Sequence, residues 1–416
     1  MTTTIRLTTG QANSAAAIQA AIDSLPPTGG MVELPEMDLI LDRGLELRSG
    51  VTLAGQGAGT VLRMQPGRTY PLAGYHNYGM RDVPLQFTDG LEPGMTVAIR
   101  DDAHQGFFET LARITWVRDN WVGLDTGIAS DYLAERNPLL ITSFPLIFGR
   151  GVEHVAVRDL TLDGNREQQP GGIGGCRGAA LYFIGSRDFQ VTGVMERGFA
   201  GEGLGFQMCA EGHIEGCRLA DNAGNGYHPG AGSTGVLFKD CVAEGNGRAG
   251  LFFCVRANHI TVEGCTFDRN VDCGVSVGTR DCMNIVRNCI LRDNDGPGIL
   301  FRQSPRPVEV YSCLVEHCHI AGNARLHGRG QIDVQGDAHD LILCENAIIG
   351  GAGRETAGIY LAPATERIWL ENNAISGCFP QVIAAPASLA AAAPAIECGL
   401  EAVREEHFRH LARTKV

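Results

Sequence analysis

The sequence predicts an all-β solenoid, a right-handed parallel β-helix with an N-terminal capping helix and an inserted small antiparallel β subdomain. Three observations predict it. Cysteines recur at Cys217, Cys241, Cys265, Cys289 and Cys313, a spacing of 24 each time (241−217, 265−241, 289−265, 313−289). An asparagine follows each one, at Asn222, Asn246, Asn270, Asn294 and Asn323. A glycine-led strand of alternating apolar residues then begins, as in Gly250-Leu-Phe-Phe-Cys and Gly298-Ile-Leu-Phe-Arg. Self-similarity at a fixed period marks a unit that stacks on its neighbours. Equivalent residues of successive coils then lie about 4.8 Å apart.

Along the chain, Ser14 offers an N-cap to a short helix with Ile18, Ala21, Ile22 and Leu25 on one stripe, stopped by Pro26-Pro27. Such a helix would plug the open end of the solenoid, whose first coil otherwise exposes core and strand edge. Residues 1–65 are read as this cap and the first coils. Residues 66–145 break the period, holding Pro66, Pro71, Pro84 and Pro93 together with alternating segments such as Met95-Thr-Val-Ala-Ile-Arg, and are read as the inserted subdomain. The main solenoid is expected over 146–378. Residues 379–416 are an Ala-rich segment followed by a charged stretch, Glu397 to Arg413, read as a helix over the other end or a solvated tail.

Strand alternation assigns the faces. Leu204, Tyr227, Leu251, Val275, Ile299 and Ile359 point inward, with Phe206, Pro229, Phe253, Val277, Phe301 and Leu361 two residues on. Gln207, His228, Phe252, Cys254, Ser276, Leu300, Arg302 and Tyr360 point outward. At Gly330-Gln-Ile-Asp-Val-Gln the register shifts by one, so Ile332 and Val334 enter the core and Asp333 faces out. The periodic cysteines read as small, buried, reduced hydrophobes. The asparagines read as a hydrogen-bonded ladder.

A net charge of −13 argues against a nucleic-acid partner. Lys239 and Lys415 are the sole lysines, so positive chemistry falls to arginine and histidine. No run of about 18 apolar residues and no leader pattern appears, so neither a membrane nor export is expected and cytoplasmic residence is the reading. The 14 cysteines show no CxxC pair and the acids no dense Asp cluster, so no metal or cofactor is expected.

Four segments carry a family resemblance: Ala17-Ile-Gln-Ala-Ala-Ile-Asp followed by Gly29-Gly-Met-Val-Glu-Leu-Pro, then Gly50-Val-Thr-Leu-Ala-Gly-Gln-Gly, then Leu160-Thr-Leu-Asp-Gly-Asn. They resemble the pectate-lyase-like β-helix superfamily. The resemblance implies a carbohydrate-active protein, with lyases, polygalacturonase-type hydrolases, fructotransferases, uronate epimerases and phage tailspikes among its branches. It also implies an oligo- or polysaccharide partner and a homotrimer, for which Phe252, Leu300 and Tyr360 offer apolar surface. Of the hydrolase branch's motifs only Asp101-Asp102 is present, and it lies in the insert. Tyr227-His228-Pro229-Gly230 is similar to the epimerase loop only in its aromatic and proline.

The outward face supplies the expected chemistry. The leading reading is β-elimination on a uronate-containing saccharide, with His228 as base. Arg302 and Asp333 complete the catalytic set, while Gln207, Arg256, Arg280, Glu202 and Tyr360 bind substrate. Arginines would neutralise the carboxylate whose charge grows as the adjacent proton leaves. The alternatives are hydrolysis or fructotransferase-type transfer by outward carboxylates, and a non-catalytic carbohydrate-binding solenoid.

Overall fold

The computed structural model describes residues 3–351 and 354–403, apart from the side chain of Phe107. Its body is a stack of coils, each crossing three parallel sheets of 12, 11 and 11 strands. One coil runs Leu204–Gln207, then Ala210–Glu215, then Arg218–Ala220, and a turn through Asn222 leads to Tyr227–Pro229 of the next coil. Strands of one sheet pair in register without slippage, as Leu204 with Tyr227 and Phe206 with Pro229. Short β-rich segments punctuated by Gly, Asn and Asp suit this path, because each coil must turn sharply within a few residues.

The inward assignment holds: Leu204, Tyr227, Leu251, Val275, Ile299 and Ile359 are at most 2% exposed. Phe189, Phe206 and Phe238 stack through the middle of the core at 5.2 and 6.1 Å. Ile299 pairs with Ile332 and Leu300 with Asp333, which is the shifted register expected at Gly330. Among the described residues no helix is long and apolar enough to cross a membrane.

The asparagines form a buried ladder. Asn222, Asn246, Asn270 and Asn294 each donate from Nδ2 to Oδ1 of the next, at 2.7–3.0 Å, ending on Asn323. The cysteine column differs in one coil. The corner after Phe301 holds twelve residues (302–313) where the preceding one holds seven (278–284), so the repeat slips by five. Ile290 pairs with His319, and the residue stacked on Cys289 is therefore Cys318. Cys313 precedes Leu314, which pairs with Ile285, and so stacks on Asn284 at another corner. All 14 cysteines are free thiols.

Helix Ala15–Ser24 is capped by Ser14 Oγ, which accepts from Ala17 N at 3.2 Å, and it buries Ile18 and Ile22 against the first coils. Between Thr69 and Ile141 six strands form a sheet with antiparallel pairing and its own core around Tyr70, Val97, Ile99 and Tyr132. At the far end Leu389 bridges to Ile368. The chain then turns back along the solenoid, with Leu400 N donating to Thr261 Oγ1 and Gly399 N to the Met283 carbonyl. The described part of this segment thus lies on the side of the coils, and most of the helix expected over Glu397 to Arg413 falls outside the described residues.

Candidate functional site

The sheet running from Leu45–Leu47 through Tyr227–Pro229 to Val382–Ile383 carries the expected face. Its register sets Gly205 beside His228, Phe252 beside Ser276, then Leu300, Asp333 and Tyr360. The loop between Asp163 and Leu181 folds over the N-terminal part of this column. Gly175 lies so close to Glu202 that a Cβ there would meet the carboxylate carbon at 2.2 Å. The insert holds that loop down: Glu109 accepts from Gly174 N at 2.5 Å, and Arg100 donates to the Gly172 carbonyl while pairing with Glu109 at 3.2 Å. Tyr182 hydroxyl binds the Cys176 carbonyl at 3.0 Å.

Beneath this roof His228 is 3% exposed and Glu202 5%. His228 Nδ1 hydrogen-bonds Glu202 Oε2, and Glu202 Oε1 accepts from Asn225 Nδ2 at 2.6 Å. His228 Nε2 is buried, and among the described residues no hydrogen bond of ordinary geometry reaches it. Its ring meets Phe252 edge-on at 5.4 Å. Cys176 from the roof and Cys254 from the next coil bring their sulfurs to it, the three donor atoms lying within 4.8 Å of one another. Burial opposes a charge on His228, but the Glu202 carboxylate and Cys254 outweigh it and push its pKa up to about 10. A hydrogen bond between the thiols lowers the Cys176 pKa, and the same bond with burial raises Cys254 to about 12.

Farther along, Arg302 lies 4.3 Å above the Phe252 ring and donates to Ser276 Oγ at 2.6 Å and the Phe253 carbonyl at 2.8 Å. It also pairs at 3.3 Å with buried Asp281, whose pKa burial raises to about 7 against the pull of that guanidinium. Asp333 is fully buried; its Oδ2 accepts from Arg329 N at 2.9 Å, and burial raises its pKa. Exposed Arg329 covers the Tyr360 ring at 4.8 Å and donates to its hydroxyl at 2.6 Å. A cavity of about 330 Å³ opens there, lined by Gln303, Arg329, Gln335 and Asp337.

The structure revises several expectations. His228 is on the outward side of its strand, yet the 164–180 loop seals it, so it is no solvent-facing base. Glu202, expected to meet substrate, lies behind His228. Gln207 is 3% exposed and spends its Oε1 on Ala231 N at 2.8 Å. Asp333 turns its carboxylate to its own coil, and Arg302 staples three coils together. Arg256 and Arg280 differ: both are exposed, in left-handed backbone (φ 60° and 56°) at equivalent corners of adjacent coils, and no ion pair engages either among the described residues. Acids on the same coils pair elsewhere, Asp281 with Arg302, Asp295 with Arg325 and Asp272 with His327. Sequence reasoning missed Cys176 and Arg329, which sit in irregular segments where no period marks them.

A family model described as the right handed beta helix region matches residues 179–338. No curated protein matches the sequence. Among solved structures, the A-module of an Azotobacter vinelandii mannuronan C-5 epimerase is similar at 18% identity and a TM-score of 0.56, covering 90% of this chain and 96% of its own. A polygalacturonase from Erwinia carotovora ssp. carotovora aligns at 10% identity and 0.52, covering 92% of this chain and 96% of its own. ORF18 of Geobacillus virus E2 aligns at 13% and 0.55, covering 89% of this chain and 60% of its own. At these identities the likeness is one of fold. Matched repeat, coil topology and full-length likeness together make this chain a right-handed parallel β-helix protein.

Proposed function

We propose that this protein acts on an anionic, uronate-containing saccharide laid along the sheet through Tyr227–Pro229, by proton abstraction and β-elimination. The observation that carries this reading is the set of arginines along this sheet and its flanking corners, in a chain whose net charge is −13. Among the described residues no ion pair engages Arg256 or Arg280, which sit at matching corners; Arg302, held by Ser276 and Asp281, lies over Phe252, and Arg329 over Tyr360. From the coil of Arg256 to that of Tyr360 the set climbs four steps, roughly 19 Å, the length of several sugar units. Guanidinium forks match carboxylates, and the rings offer apolar platforms beside them. The named mannuronan epimerase and polygalacturonase, of similar fold, support a saccharide substrate.

Removing the proton next to a carboxylate loads negative charge onto that carboxylate, which the arginines are placed to neutralise. The Tyr360 hydroxyl, held at 2.6 Å by Arg329 on the same face, is the group we assign to proton transfer. Glu202 and Asp333 are buried and engaged internally, which disfavours hydrolysis by an outward carboxylate pair.

The test is a screen of polyuronates and neutral glycans with wild type, the Arg256→Ala/Arg280→Ala double variant and Tyr360→Phe, recording ultraviolet absorbance of unsaturated uronate, new reducing ends and binding heat. Absorbance should rise with a polyuronate. The double variant should raise KM about tenfold or more, as expected for lost charge-assisted hydrogen bonds. Tyr360→Phe should lower kcat by about 100-fold or more. Reducing ends without absorbance would replace elimination by hydrolysis, and binding without turnover would leave a carbohydrate-binding solenoid.

A further inference from the structure

We propose that Cys176, His228 and Cys254 form a binding site for a zinc ion. The three ligands come from separate parts of the chain: the roof loop, the strand Tyr227–Pro229 and the end of the next strand of the same sheet. Two sulfurs and an imidazole are the donor set that selects a soft divalent cation, and zinc takes three such ligands while leaving a fourth position for water. Zinc held at about 2.3 Å from sulfur and about 2.0 Å from nitrogen needs its donors roughly 3.5–3.8 Å apart. The present spread, within 4.8 Å, closes by about one ångström of side-chain movement.

The surroundings point to the same ligand independently. A buried imidazole nitrogen is costly unless something fills its position, and His228 Nε2 has no hydrogen bond of ordinary geometry among the described residues while the donor atoms of His228, Cys176 and Cys254 lie within 4.8 Å of one another. Its other nitrogen is held by Glu202, which is in turn held by Asn225. A metal-bound histidine commonly has this carboxylate behind it, fixing the tautomer and the ring plane. On binding, both thiols and Nε2 release their protons to solvent, and the two thiolates neutralise the dication. The site would pin the roof loop, and with it the insert, to the solenoid.

This inference is independent of the saccharide reading and is tested without a saccharide. Full-length protein, reduced and stripped with a chelator, is titrated with Co²⁺ and followed by absorbance, then challenged with Zn²⁺. One equivalent of Co²⁺ should produce thiolate-to-cobalt charge transfer and tetrahedral visible bands, and one equivalent of Zn²⁺ should abolish them. Cys176→Ser and Cys254→Ser should each lose the bands, while Cys344→Ser, altered in a thiol on a different sheet, should keep them. Glu202→Gln should keep the bands and weaken Co²⁺ binding by about 10–100-fold, a change that a merely structural carboxylate would not give. Should the cysteine variants fail to fold, the wild-type titration and the Glu202→Gln shift still decide. No bands in reduced wild type, or bands surviving in the Cys176→Ser/Cys254→Ser double variant, would overturn the site. So would a Cys176–Cys254 disulfide persisting in the protein as purified.

Discussion

Glu196 shows how much one buried carboxyl can set. Its Oε2 accepts from Asn222 Nδ2 at 2.8 Å and so closes the asparagine ladder, while Oε1 is buried with no hydrogen bond of ordinary geometry among the described residues. Burial raises its pKa to about 8, against the Asn222 hydrogen bond that favours the anion. The folded value exceeds the unfolded one, so its contribution to stability is complete below about pH 4.5 and is lost as pH rises through about 8. Replacing it by Gln keeps an oxygen for Asn222 and removes the titration. Melting curves between about pH 5 and 9 should therefore fall less steeply for Glu196→Gln than for wild type, by at most ~1.4 kcal/mol for each pH unit crossed. His228 is also raised and pulls in the same direction, so the difference between the two proteins is what reads Glu196. Equal slopes would mean that Glu196 is ionised in the folded protein.

The ladder is the element that makes the coils one object. Asn270 accepts at Oδ1 from Asn246 N (3.1 Å) and Nδ2 (2.9 Å), and donates to Asn294 Oδ1 (3.0 Å) and the Ala243 carbonyl (3.2 Å). Asn270→Ala strands several of these buried groups at once, each costing about 1–3 kcal/mol when left unsatisfied. A loss of ~3 kcal/mol or more in urea unfolding is expected; a loss below ~1 kcal/mol would show that the stack repairs itself. Elements were also where the sequence was most legible. Alternation assigned the inward faces, the Asn column and the Ser14 cap because each follows from a period or a capping rule. Cys313 misled because its arithmetic spacing of 24 coincided with a corner five residues longer, which moved Cys318 into its place. Asn323, 29 residues after Asn294, was the signal of that insertion.

At the scale of the molecule, the interior of the face was illegible because a distant, aperiodic segment decides it. Alternation says that His228 points out of its coil; it cannot say that residues 164–180 cross above it. Those residues stay there because a separate sheet, inserted some 60 residues earlier, grips them through Arg100 and Glu109. The insert therefore does more than fill space: with its grip released, the roof would lift while the coils, whose pairing does not pass through it, remain. Glu109→Ala breaks the buried pair and frees Gly174 N. Breaking such a pair by removing one partner typically costs about 3–5 kcal/mol, here drawn mainly from the roof and the insert. Limited trypsin digestion should then cut after Arg166 or Arg177 at least ~10-fold faster than in wild type, with the far-ultraviolet dichroism of the solenoid unchanged. Zinc, if it pins Cys176 to the coil below, should restore part of that protection in Glu109→Ala and none in Glu109→Ala/Cys176→Ser. Uniform cutting across the whole chain would instead mean that insert and solenoid unfold as one unit, and that the roof has no separate mobility for the insert to restrain.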